Sequence, residues 1–279
     1  MKRSVLFWIL AVIITSGSAF FQRVTGPSYP VSGAVTISGR SIPYRFDRSH
    51  AGSTDAPVTL KTDDSSIAGT LFWRRYKSEE AWASVPMAFD HGSLTADLPH
   101  QPVAGKLAYY VELRKGDQRL PLPDPDPVVI RFRGDVPLVI FIPHLIAMFS
   151  AMLLSTRAGM EFFSNAPRLQ TLTYWTLGSL VVGGFILGPA MQYYSFDVWW
   201  TGWPLGTDLT DNKTVVAFLA WVAAAIALKR AKNPKLWTLG AAIILLAVYL
   251  IPHSLMGTER NYRDANSPGT ESGSSNVRQ

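Results

Sequence analysis

The sequence predicts a mixed, multi-domain fold, in which an all-β sandwich outside the cytoplasm is followed by a bundle of four transmembrane helices. Apolar residues are concentrated in 1–21 and 136–257, whereas 28–134 mixes polar and apolar positions as a soluble domain does. The chain has no cysteine, which excludes disulfides, thiolate metal sites and cysteine nucleophiles. An exported domain of this chain must therefore rest on its own apolar core.

The N-terminal segment, 1–21, has the features of an export signal. Lys2 and Arg3 precede an apolar run, and small residues follow that run up to Ala19. The pattern is typical of a signal peptide that is cleaved after Ala19. Because the apolar run is nearly long enough to cross a bilayer, the segment also fits an uncleaved signal anchor.

The region 28–134 contains short runs rich in β-branched and aromatic residues, separated by Gly, Pro, Asp and Ser. Runs of this length bounded by turn residues predict β-strands. The runs are Ala34–Ile37, Pro57–Lys61, Gly69–Tyr76, Ser93–Asp97, Leu107–Leu113 and Val128–Phe132. A set of about six such strands predicts a sandwich.

The aromatic stretches of this region resemble those of fibronectin type III and immunoglobulin-like modules of bacterial exported proteins. These stretches are Leu71–Tyr76, Trp82–Met87, Leu94–Pro99 and Leu107–Val111. The resemblance implies a fold rather than an activity, since such modules serve adhesion, spacing and partner docking alike. It places Trp73, Tyr109 and Val111 in the core. Tyr110 and Trp82 are then expected on an outer face or beneath a connecting loop.

Segments with uncharged centres, each near the roughly 20 residues of a bilayer crossing, predict the transmembrane helices. They lie at about 136–157, 169–194, 213–230 and 236–256. Basic residues collect after the third of these helices, and Lys and Arg favour the cytoplasmic side of short loops. We therefore predict a bacterial inner-membrane protein whose β-domain and disordered tail, 258–279, lie on the periplasmic or extracellular side.

Details within the helical part of the chain predict how it packs. Gly184 and Gly188 have the spacing of a close helix contact, and Pro189 predicts a kink. Asp211 or Thr210 is expected to cap the third helix. Three tryptophans in the preceding loop are typical of an interfacial aromatic belt.

Two histidines in the predicted helices are candidate ligands. His144 and His253 each follow an Ile-Pro pair, and the predicted topology puts both on the outer side. Imidazole is the usual protein ligand of haem iron, copper and zinc. The pair is suited to haem b, or to a metal held together with Asp208, Asp211 or Glu259. The alternative is structural, with each imidazole hydrogen-bonded to a carbonyl that the neighbouring proline leaves free.

Met148 and Met152 share the helix face of His144, which suits a soft copper ion, although methionines at this spacing more usually fill a helix interface. No motif of a P-loop, serine hydrolase, zinc protease, kinase or dinucleotide-binding fold is present, and none for nucleic acid. We expect a non-enzymatic docking, sensing or accessory subunit in the lipid bilayer, with a membrane or periplasmic protein as partner. The alternative is a membrane redox protein that binds haem b or a metal through His144 and His253.

Overall fold

The computed structural model describes residues 2–164, 168–252, 259–260 and 277–278, and the chain divides into two compact units. One unit is rich in β-strands and contains Ser28–Asp135. The other is helical and contains the helices that precede and follow this segment. The predicted combination of a β-rich region with several apolar helices is confirmed.

The β-rich unit contains three sheets within Ser28–Asp135. Its strands are β1 Val31–Ile37, β2 Arg40–Phe46, β3 Ser49–Ala51, β4 Ala56–Lys61, β5 Ala68–Arg75, β6 Ala83–Pro86, β7 Ala88–Asp90, β8 Ser93–Leu98, β9 Lys106–Lys115, β10 Gln118–Leu122 and β11 Val128–Arg133. The large sheet has the order β3-β11-β9-β5-β6, and β10 also pairs with β9. A hairpin, β1-β2, and a three-stranded sheet, β4-β8-β7, complete the unit. All pairs are antiparallel except β3 with β11.

A single apolar core receives side chains from all three of these sheets. Along β9 the inward side chains alternate with outward ones, because successive residues of a strand point to opposite faces. Tyr109 and Val111 are fully buried, and Trp73 packs against the core, as predicted. The Tyr109 hydroxyl donates to the Asp47 carbonyl at 2.7 Å. Burial raises the pKa of this phenol well above its usual range.

An ion pair ties the turn after β4 to the end of β9. The Lys115 ammonium donates to the Asp64 carboxylate at 2.8 Å, and the amide and hydroxyl of Ser66 donate to the same carboxylate. These hydrogen bonds, Lys115 first, hold the pKa of Asp64 well below its usual range. The ionised form of Asp64 is thus the form that the fold stabilises.

Among the described residues, the helical unit contains six α-helices. They are α1 Lys2–Thr25, α2 Leu138–Gly159, α3 Leu169–Leu180, α4 Gly188–Phe196, α5 Leu209–Arg230 and α6 Pro234–Leu250. A 3₁₀ turn, Met160–Phe163, extends α2, and a π-helical segment, Val181–Leu187, joins α3 to α4. In the part of the chain that the structure describes, four stretches are long and apolar enough to cross a membrane: Arg3–Thr25, Leu138–Phe163, Leu169–Phe196 and Leu209–Arg230. Helix α6 is apolar but shorter.

Helix ends differ from the predicted ones in two places. α5 begins at Leu209 and its N-cap is Asp208, whose carboxylate accepts from two backbone amides, rather than Asp211 or Thr210. α6 ends at Leu250 instead of continuing towards 256, because Pro252 disfavours helical backbone at the preceding residue. Of the predicted disordered tail, the structure describes only two-residue strands, β12 Glu259–Arg260 and β13 Val277–Arg278, which pair with each other.

Glycines allow the helices to approach closely, at Gly184 of the predicted pair but not at Gly188. A Cβ on Gly183 would lie 2.7 Å from Met148 Sδ of α2, and a Cβ on Gly184 would lie 2.6 Å from Thr214 Cγ2 of α5. A Cβ on Gly188 would meet only the Gly183 carbonyl. Around the π-helical segment, the neighbouring Gly183 and Gly184 thus face different helices.

The N-terminal helix α1 packs on both α2 and α6. Ala11, Thr15 and Ser18 are buried and lie on one side of α1, where small side chains permit a close contact. Most of the other apolar side chains of α1, such as Ile9 and Ile13, are exposed. α1 is therefore a packed element of the helical unit along the side that carries these three residues.

Candidate functional site

His144 joins two helices through a hydrogen bond. Its Nδ1 lies 3.0 Å from the Gly183 carbonyl in the π-helical segment. Because a carbonyl only accepts, Nδ1 carries the proton, and Nε2 of the neutral ring keeps its lone pair. Metal-binding histidines commonly have this orientation. The acceptor differs from the one that the structural alternative supposed, since it lies on a facing helix and is not a carbonyl freed by Pro143.

The other predicted ligands do not form a metal centre within the described residues. Asp208 accepts from the Thr210 amide at 2.7 Å and from the Asp211 amide at 3.2 Å, so its carboxylate serves as a helix cap. His253 and the Glu259 side chain lie outside the described residues. In the part of the chain that the structure describes, no three His, Cys, Asp or Glu side chains are grouped to hold a metal ion. The haem, copper and metal hypotheses stay predictions.

Asp211 organises the loop between α4 and α5. Its carboxylate accepts from the Thr201 amide at 2.7 Å. With the Gln192 amide assigned the orientation in which both of its polar atoms have partners, its nitrogen donates to the Asp211 carboxylate at 3.3 Å and to the Trp199 carbonyl, and its oxygen accepts from the Thr201 hydroxyl. The buried Asp211 thus holds the loop to the start of α5. The contact between Gln192 and Thr201 was not predicted from the sequence, because their spacing matches no local motif.

Tryptophans of this loop stack on other aromatic rings. Trp200 lies against Phe185, with 5.8 Å between ring centroids, and its indole N–H donates to the Trp203 carbonyl. Trp199 stacks on Tyr193 at 4.5 Å. Trp199 and Trp203 remain largely exposed, with 58% and 69% of their surface accessible. The interfacial belt predicted from these residues stays a prediction.

Two polar side chains cap the end of α6. The Lys213 ammonium donates to the Ile251 carbonyl at 2.7 Å, and the Gln22 amide donates to the Tyr249 carbonyl at 2.8 Å. The last carbonyls of a helix lack intrahelical partners, and Pro252 has no N–H to supply one. A cation at a helix C-terminus is also favoured by the helix dipole. These contacts give buried Lys213 a structural role in capping the C-terminal end of α6.

A buried ion pair lies where α2 continues into its 3₁₀ turn. Arg157 Nη1 is 2.6 Å from Glu161 Oε1, with side-chain exposures of only 4% and 2%, and the contact lacks hydrogen-bond alignment. The Arg157 guanidinium also lies over the rings of Phe7 and Trp8 of α1. Glu161 accepts in addition from the Arg168 amide at 3.2 Å. This pair was not predicted from the sequence.

The outward face of the large sheet carries a cluster of aromatic rings. Phe72 and Tyr110, cross-strand partners in β5 and β9, stack with centroids 4.9 Å apart and planes within 7°. Trp82 meets Tyr110 edge-on at 5.0 Å, and the Arg74 guanidinium lies 4.6 Å above the Trp82 ring. None of these side chains is buried. The expectation that Tyr110 and Trp82 lie outside the core is confirmed.

Basic side chains surround these rings on the same face, because alternate residues of a strand share a face. Strand register places Lys106 directly opposite Arg131 and Arg114 directly opposite Arg119. We call the set the basic aromatic face. It comprises Phe72, Arg74, Trp82, Lys106, Tyr110, Arg114, Arg119, Arg131 and Arg133. In strands β5, β9, β10 and β11, which are fully described, Glu112 is the sole acidic side chain at an outward position.

Two histidines, distant in sequence, lie against one ring in the β-rich unit. His50 and His100 approach Phe132 edge-on, with centroid distances of 5.6 and 5.8 Å. The His50 Nε2 also lies 3.0 Å from the Thr54 carbonyl. Both histidines thus pack against Phe132 at the edge of the apolar core. His91, the third histidine of this unit, is exposed beside Asp90.

The chain matches no protein-family model and no curated protein, so the assignment of a site depends on the geometry of its own residues. Among the clusters described, the caps, the loop and the buried ion pair are each closed by contacts within the helical unit. The basic aromatic face is instead accessible and carries charge mainly of one sign. It is the candidate functional surface.

Proposed function

We propose that the protein is a membrane-anchored docking subunit, and that its β-rich unit binds a partner protein through the basic aromatic face. In this proposal the sheets form a β-sandwich outside the cytoplasm, and the apolar helices form a bundle in the inner membrane. The observation that carries the proposal is the stacked cluster of Phe72, Tyr110 and Trp82 with Arg74 on an accessible sheet face. Trp, Tyr and Arg are the side chains most enriched at the energetic centres of protein interfaces.

The basic residues and the contacts between helix ends together support one topology. Lys229, Arg230, Lys232 and Lys235 follow α5 and favour the cytoplasmic side. Lys235 donates to the Ser164 carbonyl after α2, which supports the same side for the end of α2. The β-rich unit, which precedes α2, then lies outside. The caps of α6 by Gln22 and Lys213 meet at the outer end of the same arrangement.

Photocrosslinking in cells tests the docking role. A benzoylphenylalanine at Ser84, an exposed position opposite Phe72 in the large sheet, should give a discrete crosslinked adduct. The same probe at Thr59, exposed on the three-stranded sheet, is the matched control and should give none. The Ser84 adduct should disappear when Trp82 and Tyr110 are both changed to Ala. An adduct of equal yield from both positions, or one that survives the double change, would contradict the proposal.

A further inference from the structure

We propose that the partner presents an acidic protein segment to the basic aromatic face, an inference that rests on the docking function proposed above. Strand register sets Lys106 against Arg131 and Arg114 against Arg119 as direct neighbours on one side of the sheet. Like charges directly opposite each other destabilise a sheet. A fold that kept Arg114 opposite Arg119 for stability alone would gain from reversing one of these two charges. Binding of an anionic partner gives them a role.

The charge of the face is local to it. The region 28–135 holds equal numbers of basic and acidic residues, thirteen of each, so its net formal charge is zero. Even so, the outward positions of β9, β10 and β11 carry five cations and one carboxylate, Glu112. This local excess of positive charge is therefore complementary to an anionic surface.

The aromatic cluster favours a protein over a lipid surface as the source of that charge. Phe72 and Tyr110 lie parallel, within 7°, and are half-buried against the sheet. Binding in a bilayer interface instead requires apolar side chains that project into the acyl boundary. Flat, rigid rings beside a guanidinium supply contact area at little entropic cost, as at protein interfaces. The face is suited to an extended acidic segment whose carboxylates pair with the arginines.

The test measures peptide binding by the full chain, reconstituted in nanodiscs of zwitterionic lipid. The probe is a fluorescein-labelled peptide of alternating Glu and Gly, sixteen residues long, and the comparison probe replaces Glu with Lys. We expect the Glu peptide to bind, the Lys peptide not to bind, and binding to weaken as salt screens the charges. Absence of Glu-peptide binding at low salt overturns the acidic-partner inference.

A single charge reversal distinguishes an effect on peptide binding from an effect on folding stability. Arg114→Glu removes a cation from the face and converts its pairing with Arg119 from repulsive to attractive. We expect about a tenfold loss of Glu-peptide affinity together with an unchanged or higher thermal midpoint. The matched control is Arg45→Glu, which makes the same change in net charge at an exposed position of the β1-β2 hairpin. Equal losses of affinity in both variants would overturn the inference.

Two further results distinguish this inference from the docking proposal. Wild-type binding to phosphatidylglycerol vesicles that is lost in Arg114→Glu, without Glu-peptide binding, would overturn it in favour of a lipid surface. A Ser84 crosslink that depends on Trp82 but persists unchanged in Arg114→Glu would leave docking intact and overturn the acidic partner. Loss of the crosslink in Arg114→Glu, together with peptide binding by the wild type, supports both.

Discussion

The buried ion pair between Arg157 and Glu161 makes a sharp prediction about stability. Both side chains are almost fully buried, so Arg157→Ala leaves the Glu161 carboxylate without its counter-charge in an apolar setting. Removing one partner of a buried pair costs about 3–5 kcal/mol of unfolding free energy. For a chain of this size each kcal/mol lowers the thermal midpoint by about 2–4 °C. We therefore expect a decrease of roughly 10 °C.

Replacing both partners should restore most of that stability. In the double variant Arg157→Leu, Glu161→Leu no buried charge remains, and the added side chains fill similar volume. The Arg168 amide loses its acceptor, Glu161 Oε2, so a residual cost of about 1 kcal/mol is expected. Arg230→Ala, a charge deletion at the exposed end of α5, is the matched control and should change little.

The measurement is thermal unfolding of detergent-purified protein, followed by far-ultraviolet circular dichroism of the helices. The single variant should unfold well below the wild type, with the double variant between them and nearer to the wild type. If Arg157→Ala shifts the midpoint no more than Arg230→Ala does, the pair contributes nothing and the reasoning fails. A double variant as unstable as the single one would mean that packing on Phe7 and Trp8, rather than charge, is responsible.

The remaining predictions concern acid stability, topology and processing. The pKa of Asp64 is lowered in the folded state, so its ionised form adds stability above the unfolded pKa of about 4, and this stability is lost as pH falls through the lower folded pKa. Asp64→Asn should therefore lower the free energy of unfolding at pH 7, and the difference in this free energy between variant and wild type should become smaller below about pH 4. Urea unfolding of the full chain at each pH measures it, and a difference that does not change with pH would contradict the prediction. Because the chain has no cysteine, a single Cys at Ser84 should react with an impermeant maleimide in spheroplasts, whereas one at Lys232 should react only after lysis; the reverse pattern would invert the topology. Since α1 packs along α2 and α6 from its first turn, we expect the intact mass of the purified protein to include residues 1–19, and a mature N-terminus at Phe20 would contradict it.

The local elements could be predicted where the sequence shows the periodicity of a strand or a helix. In β9 apolar residues recur at every second position from Leu107 to Leu113, and the helical segments are uncharged over long spans, so both patterns can be recognised within a short stretch of sequence. Strand β2, Arg40–Phe46, was not predicted, because Pro43 and two exposed arginines weaken its strand pattern. Its apolar residues Ile42 and Phe46 are nevertheless fully buried.

Burial of the charged pair could not be predicted, because Arg157 and Glu161 have the same spacing as an exposed ion pair on a helix surface. Their environment depends on α1, whose Phe7 and Trp8 come from the opposite end of the chain. The same reason applies to Lys213 and Gln22, which reach carbonyls at the end of α6. Contacts of such long range leave no local pattern.

By itself, the sequence determined the apolar helical segments and the strands of six or more residues other than β2, because hydrophobic periodicity is a property of neighbouring residues. It also determined the absence of cysteine chemistry and the two candidate histidines. Only the tertiary structure decided which polar groups meet. The pairing of β9 with β10 and β11 set like charges side by side, and the pairing of β5 with β9 stacked Phe72 on Tyr110. Register is fixed by turns and by the shared core, so a face built across strands exists only once the sheet has formed.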